Sequence, residues 1–135
     1  MAGAHLSRQP PLHGEQRLKR KPWTRKEALG HLVDLAATHH QWFARALTEP
    51  NLAISGSPQE SWVCALRYRN YPWQDLVNLW ISINRLLIHM LAVIPGEKLT
   101  VPCRIGIGKP VPLSKLIDRY FEQFQDMIGQ LLARL

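Results

Sequence analysis

What most constrains this chain is a helical spacing of apolar residues that recurs three times and is cut each time by proline or glycine. In the first stretch Ala28, Leu32, Leu35, Ala36, His39, Phe43 and Ala46 recur at three and four residues, which puts them on one face of a helix. Thr24 and Glu27 just upstream have capping-box spacing: the threonine hydroxyl accepts from the amide of residue 27, and the glutamate carboxylate accepts from that of Thr24. Glu49-Pro50-Asn51 ends a helix of about 23 residues.

Residues 50–72 read as irregular, with Gly56, Pro58 and Pro72, except that Gln59 to Leu66 could form two turns presenting Trp62 and Leu66. Tyr71-Pro72-Trp73 launches a second long helix, because proline suits a first turn whose N–H groups have no intrahelical partner. Its stripe is Leu76, Trp80, Ile83, Leu87, Leu91 and Ile94, and Pro95-Gly96 stops it. Leu99 to Val111, with Pro102, Gly106, Gly108 and Pro110, predicts an extended or hairpin-like excursion. A third helix runs from Leu113 to about Leu132. Leu113, Leu116, Ile117, Tyr120, Phe124, Met127 and Leu131 face inward, and Lys115, Asp118, Arg119 and Glu122 face water. The expectation is an all-α, up-down helical bundle with one small excursion before its last helix.

A chain of 135 residues, 46% hydrophobic, suffices for one domain with an ordinary core. The most apolar run, Leu76 to Ile94, is interrupted by Asn78, Ser82, Asn84, Arg85 and His89, so no membrane span is expected. Cys64 and Cys103 show no disulfide or metal-knuckle spacing, and the N-terminus has no apolar leader, so the expected compartment is the cytoplasm. Of the formal charge of +7, +4 lies in residues 1–22, where Arg8, Arg17, Lys19, Arg20 and Lys21 face only Glu15. That segment reads as a flexible basic arm preceding a domain at 23–135. A nucleic-acid partner is not expected, because no helix-turn-helix, zinc-finger or RNP pattern accompanies the arm; salt-sensitive polyanion binding through Arg17 to Lys21 is an alternative.

Few residues stand out chemically. His39 lies mid-stripe on the first helix, His31 at its edge near Trp42, and His40 points away; His89 sits on the second helix. Periodicity alone reads such histidines as hydrogen-bonded core residues, and no HxxxH, ExxH or HExxH spacing gathers metal ligands. Gly106-Ile107-Gly108-Lys109 lacks the hydroxyl residue of a phosphate loop and reads as a turn. Cys103, in the excursion, could be exposed and is read as a structural or incidental thiol.

Trp23-Thr24-Arg25-Lys26-Glu27-Ala28-Leu29-Gly30-His31-Leu32-Val33-Asp34 resembles the W-[ST]-x-x-[EQ]-x-x-x-H-[LV]-x-D stretch of the DinB/YfiT-like metalloenzyme superfamily. Phe43-Ala44-Arg45-Ala46-Leu47, Trp62, Pro72 to Val77, Asn84-Arg85 and Val111-Pro112-Leu113 continue the resemblance, which spans about residues 22 to 132. It implies a four-helix bundle and a divalent metal, nickel or zinc, held by three histidines. One matches His31. The other two belong to a Y-x-x-H-x-x-x-H pattern in which Tyr120 matches the tyrosine, while Gln123 and Met127 stand where histidine is expected. Amide and thioether are poor ligands for both metals.

The resemblance therefore implies a non-catalytic or weakly metal-binding bundle, with a pocket bounded by His31, Gln123, Met127, Asn84, Trp80 and Tyr120 that is open to a small-molecule ligand. The alternative is an active metal-dependent transferase or hydrolase using His31 with non-standard ligands. The family's first helix has no counterpart of full length before Trp23, so a homodimer or a helix-completing partner is expected to cover the apolar face left open.

Overall fold

The computed structural model describes residues 23–56 and 61–132, with side chains to residue 129. The basic arm and the question of a first helix lie outside the described residues.

Helix α1 spans Arg25–Thr48. The capping box forms as expected: the Glu27 amide donates to the Thr24 hydroxyl at 3.2 Å, and the Thr24 amide donates to the Glu27 carboxylate at 3.0 Å. Glu49, in extended conformation, donates its amide to the Arg45 carbonyl and ends the helix before Pro50. A single apolar stripe understates this helix, because every residue from Glu27 to Ala36 is buried. A helix buried on consecutive positions is covered all round. The short helix α2 (Ser61–Ala65), a 3-10 turn at Tyr68–Asn70 and the later helices α3 (Trp73–Val93) and α4 (Leu113–Leu132) all pack on it.

The described residues between 50 and 72 hold more regular structure than expected. Leu52–Ile54 forms strand β1, which pairs parallel with β2 (Pro102–Ile105) in the register Leu52↔Cys103 and Ile54↔Ile105. β2 turns back through Gly106 (φ +60°) to β3 (Val111–Pro112) and pairs with it antiparallel, Cys103 opposite Val111. The excursion is thus the predicted hairpin. β1 escaped prediction because three residues carry too little alternation to read; burial of Leu52, Ile54 and Cys103 against the helices is what selects it. Cys103 is fully buried, not exposed, with its thiol donating to the Val101 carbonyl. On α2 the expected faces are exchanged: Val63 is buried, while Trp62 and Leu66 are exposed.

The bounds of α4 match expectation, as does its outer face of Lys115, Asp118, Arg119 and Glu122; Leu113, Leu116, Tyr120, Met127 and Ile128 are buried. Pro72 is the N-cap of α3 and so precedes its first helical residue. By length and composition α3 could cross a membrane, with a mean hydropathy of 1.6 over its most apolar window, but it packs along α1 through Trp73, Leu76, Val77, Trp80 and Leu87.

Contacts fix the helix directions. Trp80 stacks on Phe124 while Asn84 meets Tyr120, so α3 and α4 run antiparallel. The turn that leads into α3 lies against the start of α1, through Lys26 to the Arg69 carbonyl and Tyr68 to Asp34. Hence α1 and α3 run parallel, joined by the long crossover that carries β1 and α2. A connection spanning residues 49 to 72 is long enough to return the chain to the starting end of the bundle.

Candidate functional site

His31 sits two turns into α1 and is buried, its ring 4.9 Å from that of Trp23. The expected neighbour, Trp42, instead lies 4.7 Å from His39, three residues earlier on the same helix. One turn beyond His31, the buried carboxylate of Asp34 accepts a 2.5 Å hydrogen bond from the Tyr68 hydroxyl. Its second oxygen is buried without a hydrogen-bond partner among the described residues. Burial raises the Asp34 pKa above the ordinary carboxylate value, partly offset by the Tyr68 bond; burial and the same bond raise the phenol pKa. Sequence reasoning missed this pair. Asp34 was visible in the motif, but Tyr68 lies in a segment without periodicity.

The pair depends on a close approach. A Cβ on Gly30 would fall 2.3 Å from the Cγ and Cδ2 atoms of Tyr68, so only glycine lets the ring lie flat against α1.

A second cluster joins α1, α3 and α4. His39 is buried, its Nδ1 2.7 Å from the Leu35 carbonyl, and burial lowers its pKa despite that bond. A protonated Nδ1 donating to this carbonyl leaves Nε2 as the acceptor of a neutral imidazole. The ring lies 4.6 Å from that of Tyr120, whose hydroxyl donates to Asn84 Oδ1 at 3.1 Å, and Asn84 donates to the Trp80 carbonyl at 2.9 Å. Trp80 stacks on Phe124 at 5.5 Å, and its indole N–H is buried without an acceptor among the described residues. The structure therefore brings together Trp80, Asn84 and Tyr120 and adds His39, which the sequence alone reads as a core residue.

His31, Met127 and Gln123 differ in placement. Helix α4 starts at the sheet beside which α1 ends, so these two helices run antiparallel, with His39 level with Tyr120. About two turns back on α1 and two turns on along α4, His31 and the buried Met127 reach the same level. Gln123, one turn nearer Tyr120, is exposed. Among the described residues no three His, Cys, Asp or Glu side chains gather where one cation could be held.

Neither a family model nor a curated protein matches the sequence. Solved structures match the fold. YfiT from Bacillus subtilis, described as a probable metal-dependent hydrolase with an unusual four-helix bundle topology, superposes with a TM-score of 0.83 at 14% identity, over 96% of this chain and 77% of that one. A mycothiol-dependent maleylpyruvate isomerase superposes with a TM-score of 0.76 at 15% identity, over 97% of this chain and 56% of the isomerase.

Proposed function

From the DinB/YfiT-like superfamily fold that this chain has, we propose that it is a bundle that has lost strong metal binding at the family's site and holds a small molecule there instead. The observation that carries this reading is the donor set. Of the three positions that would ligate a metal, only His31 offers an imidazole; Gln123 offers an exposed neutral amide and Met127 a soft thioether. Such a set does not fit zinc or nickel, which favour imidazole and charged donors. No reaction step is therefore assigned to a metal. The chemistry the chain itself supplies beside this position is recognition: a buried imidazole at His31, and beyond it the indole N–H of Trp80 and the Asn84–Tyr120 pair. These groups suit a compact ligand with an acceptor and an aromatic or apolar body.

The test is the metal content of protein purified without a histidine tag, measured by plasma mass spectrometry after exposure to zinc and nickel. Substoichiometric metal, unchanged in His31→Ala, supports the reading. Stoichiometric metal that is lost in His31→Ala overturns it in favour of a metal-dependent hydrolase, as YfiT is described.

We also propose that the bundle self-associates through α3. Leu79, Leu86 and Val93 recur every seven residues on one line of the helix and are exposed, while Ile83 and Met90 between them pack inward. Formal charge on this helix is confined to Asp75 and Arg85, so a second copy meets little charge repulsion along the seam.

A further inference from the structure

A cleft of about 470 Å³ opens beside the start of α1. Its apolar wall is Val63, fully buried, and Trp23, nearly so. Among the described residues two guanidinium groups, Arg67 and Arg69, line it against a single carboxylate, Glu27. That carboxylate is already engaged: one oxygen accepts from the Thr24 amide and hydroxyl, and the other lies 4.0 Å from Arg69 Nε. Arg67 has no hydrogen bond or ion pair to its side chain among the described residues. Its backbone is held in the left-handed region (φ +53°) by its amide donating to the Cys64 carbonyl and its carbonyl accepting from Asn70. An L residue adopts that conformation at a cost, and here it sets Arg67 on the lining of the cleft instead of continuing α2. The cleft thus carries net positive charge, one uncompensated guanidinium and an apolar wall.

We propose that this cleft binds a small organic oxyanion, a carboxylate or phosphate monoester seated on Arg67 and Arg69, with its body lying in the cleft beside Cys64. The guanidinium fork matches both anions, which present two coplanar acceptors. Nothing in the proposal depends on the metal question at His31, because none of the lining groups is at a metal-ligand position.

Cys64 is exposed on the cleft lining and reports on occupancy, whereas Cys103 is fully buried. Full-length protein is reacted with 5,5′-dithiobis(2-nitrobenzoate), an aromatic disulfide with two carboxylates, and separately with the neutral 4,4′-dithiodipyridine. In each case the Cys64 thiolate attacks the disulfide, a mixed disulfide forms and the aromatic thiolate leaves; peptide mass spectrometry assigns the labelled cysteine. The neutral reagent corrects for any change in thiol reactivity, so the ratio of the two rates reads anion attraction alone. The expected result is a ratio several-fold higher in the wild type than in Arg67→Ala/Arg69→Ala, together with protection of Cys64 by millimolar phenyl phosphate or benzoate. Protection by phenyl phosphate alone assigns a phosphate monoester, and protection by benzoate alone a carboxylate. Both arginines are exposed, so the double variant should keep the wild-type circular dichroism; Arg67→Gly, which relieves the left-handed backbone, serves as a second variant if it does not. An unchanged ratio with no protection by either compound overturns the proposal.

Discussion

Gly30 and Tyr68 are held so close that the ring of Tyr68 occupies the space a side chain at residue 30 would fill, 2.3 Å from where its Cβ would stand. In a helix interior, alanine is favoured over glycine by about 1 kcal/mol. The contact reverses that preference: Gly30→Ala is expected to destabilise the protein by about 1 to 3 kcal/mol, as overpacking does, by displacing Tyr68. In a Tyr68→Ala background the same substitution should become neutral or stabilising. Chemical denaturation of the four proteins in this double-mutant cycle measures the coupling.

Asp34 and His39 tie stability to pH with opposite signs. Burial raises the Asp34 pKa above 3.8, so just above that value the folded chain binds more protons than the unfolded one, and stability falls as pH rises through that window. Asp34→Asn keeps an acceptor for Tyr68, removes the buried charge and should leave stability at pH 7 unchanged or higher. Tyr68→Phe strips the carboxylate of its donor and should cost about 1 to 3 kcal/mol. For His39 the folded value lies below 6.5, so its contribution is complete above that pH and is lost as pH falls towards the folded value. Melting curves between pH 7.5 and 5 should therefore drop less steeply for His39→Phe than for the wild type.

Restoring imidazole should restore metal affinity. Gln123→His with Met127→His supplies two nitrogen ligands at i and i+4, on one face of α4 and near the level of His31. Titration calorimetry with zinc is expected to show a gain of at least tenfold over the wild type, abolished by adding His31→Ala. Equal affinities would mean that these three positions do not converge.

Self-association through α3 predicts that the wild type sediments as a dimer at micromolar concentration. Leu86→Glu, at an exposed position in the middle of the seam, should shift it to monomer without loss of helicity. A wild-type monomer under these conditions would remove the seam as an interface.

Tyr120→Phe deletes the hydroxyl that donates to Asn84. The expected loss is about 0.5 to 1.5 kcal/mol, the usual net worth of one such bond, with near-ultraviolet circular dichroism reporting whether the Trp80–Phe124 stack persists.

The sequence by itself determined the helices and their ends. A capping box at Thr24, prolines at 50, 72 and 95 and apolar residues at three- and four-residue spacing act within a few residues of chain, so they can be read without the fold. The same local code announced the hairpin around Gly106, while the W-T-x-x-E-x-x-x-H stretch that singles out His31 was legible only as a resemblance. Only the tertiary structure decided what depends on residues far apart in the chain. β1 exists because Leu52 and Ile54 meet β2 some fifty residues later, and residues 27–36 of α1 are buried on every side because α2 and the turn at Tyr68–Asn70 pack on it as well as the long helices. Tyr68 finds Asp34 across 34 residues, and Arg67 reaches the lining of its cleft through a backbone conformation that no pattern announces. Spacing along a chain encodes which face of a helix is apolar; which distant group lies against that face is set by how the helices pack.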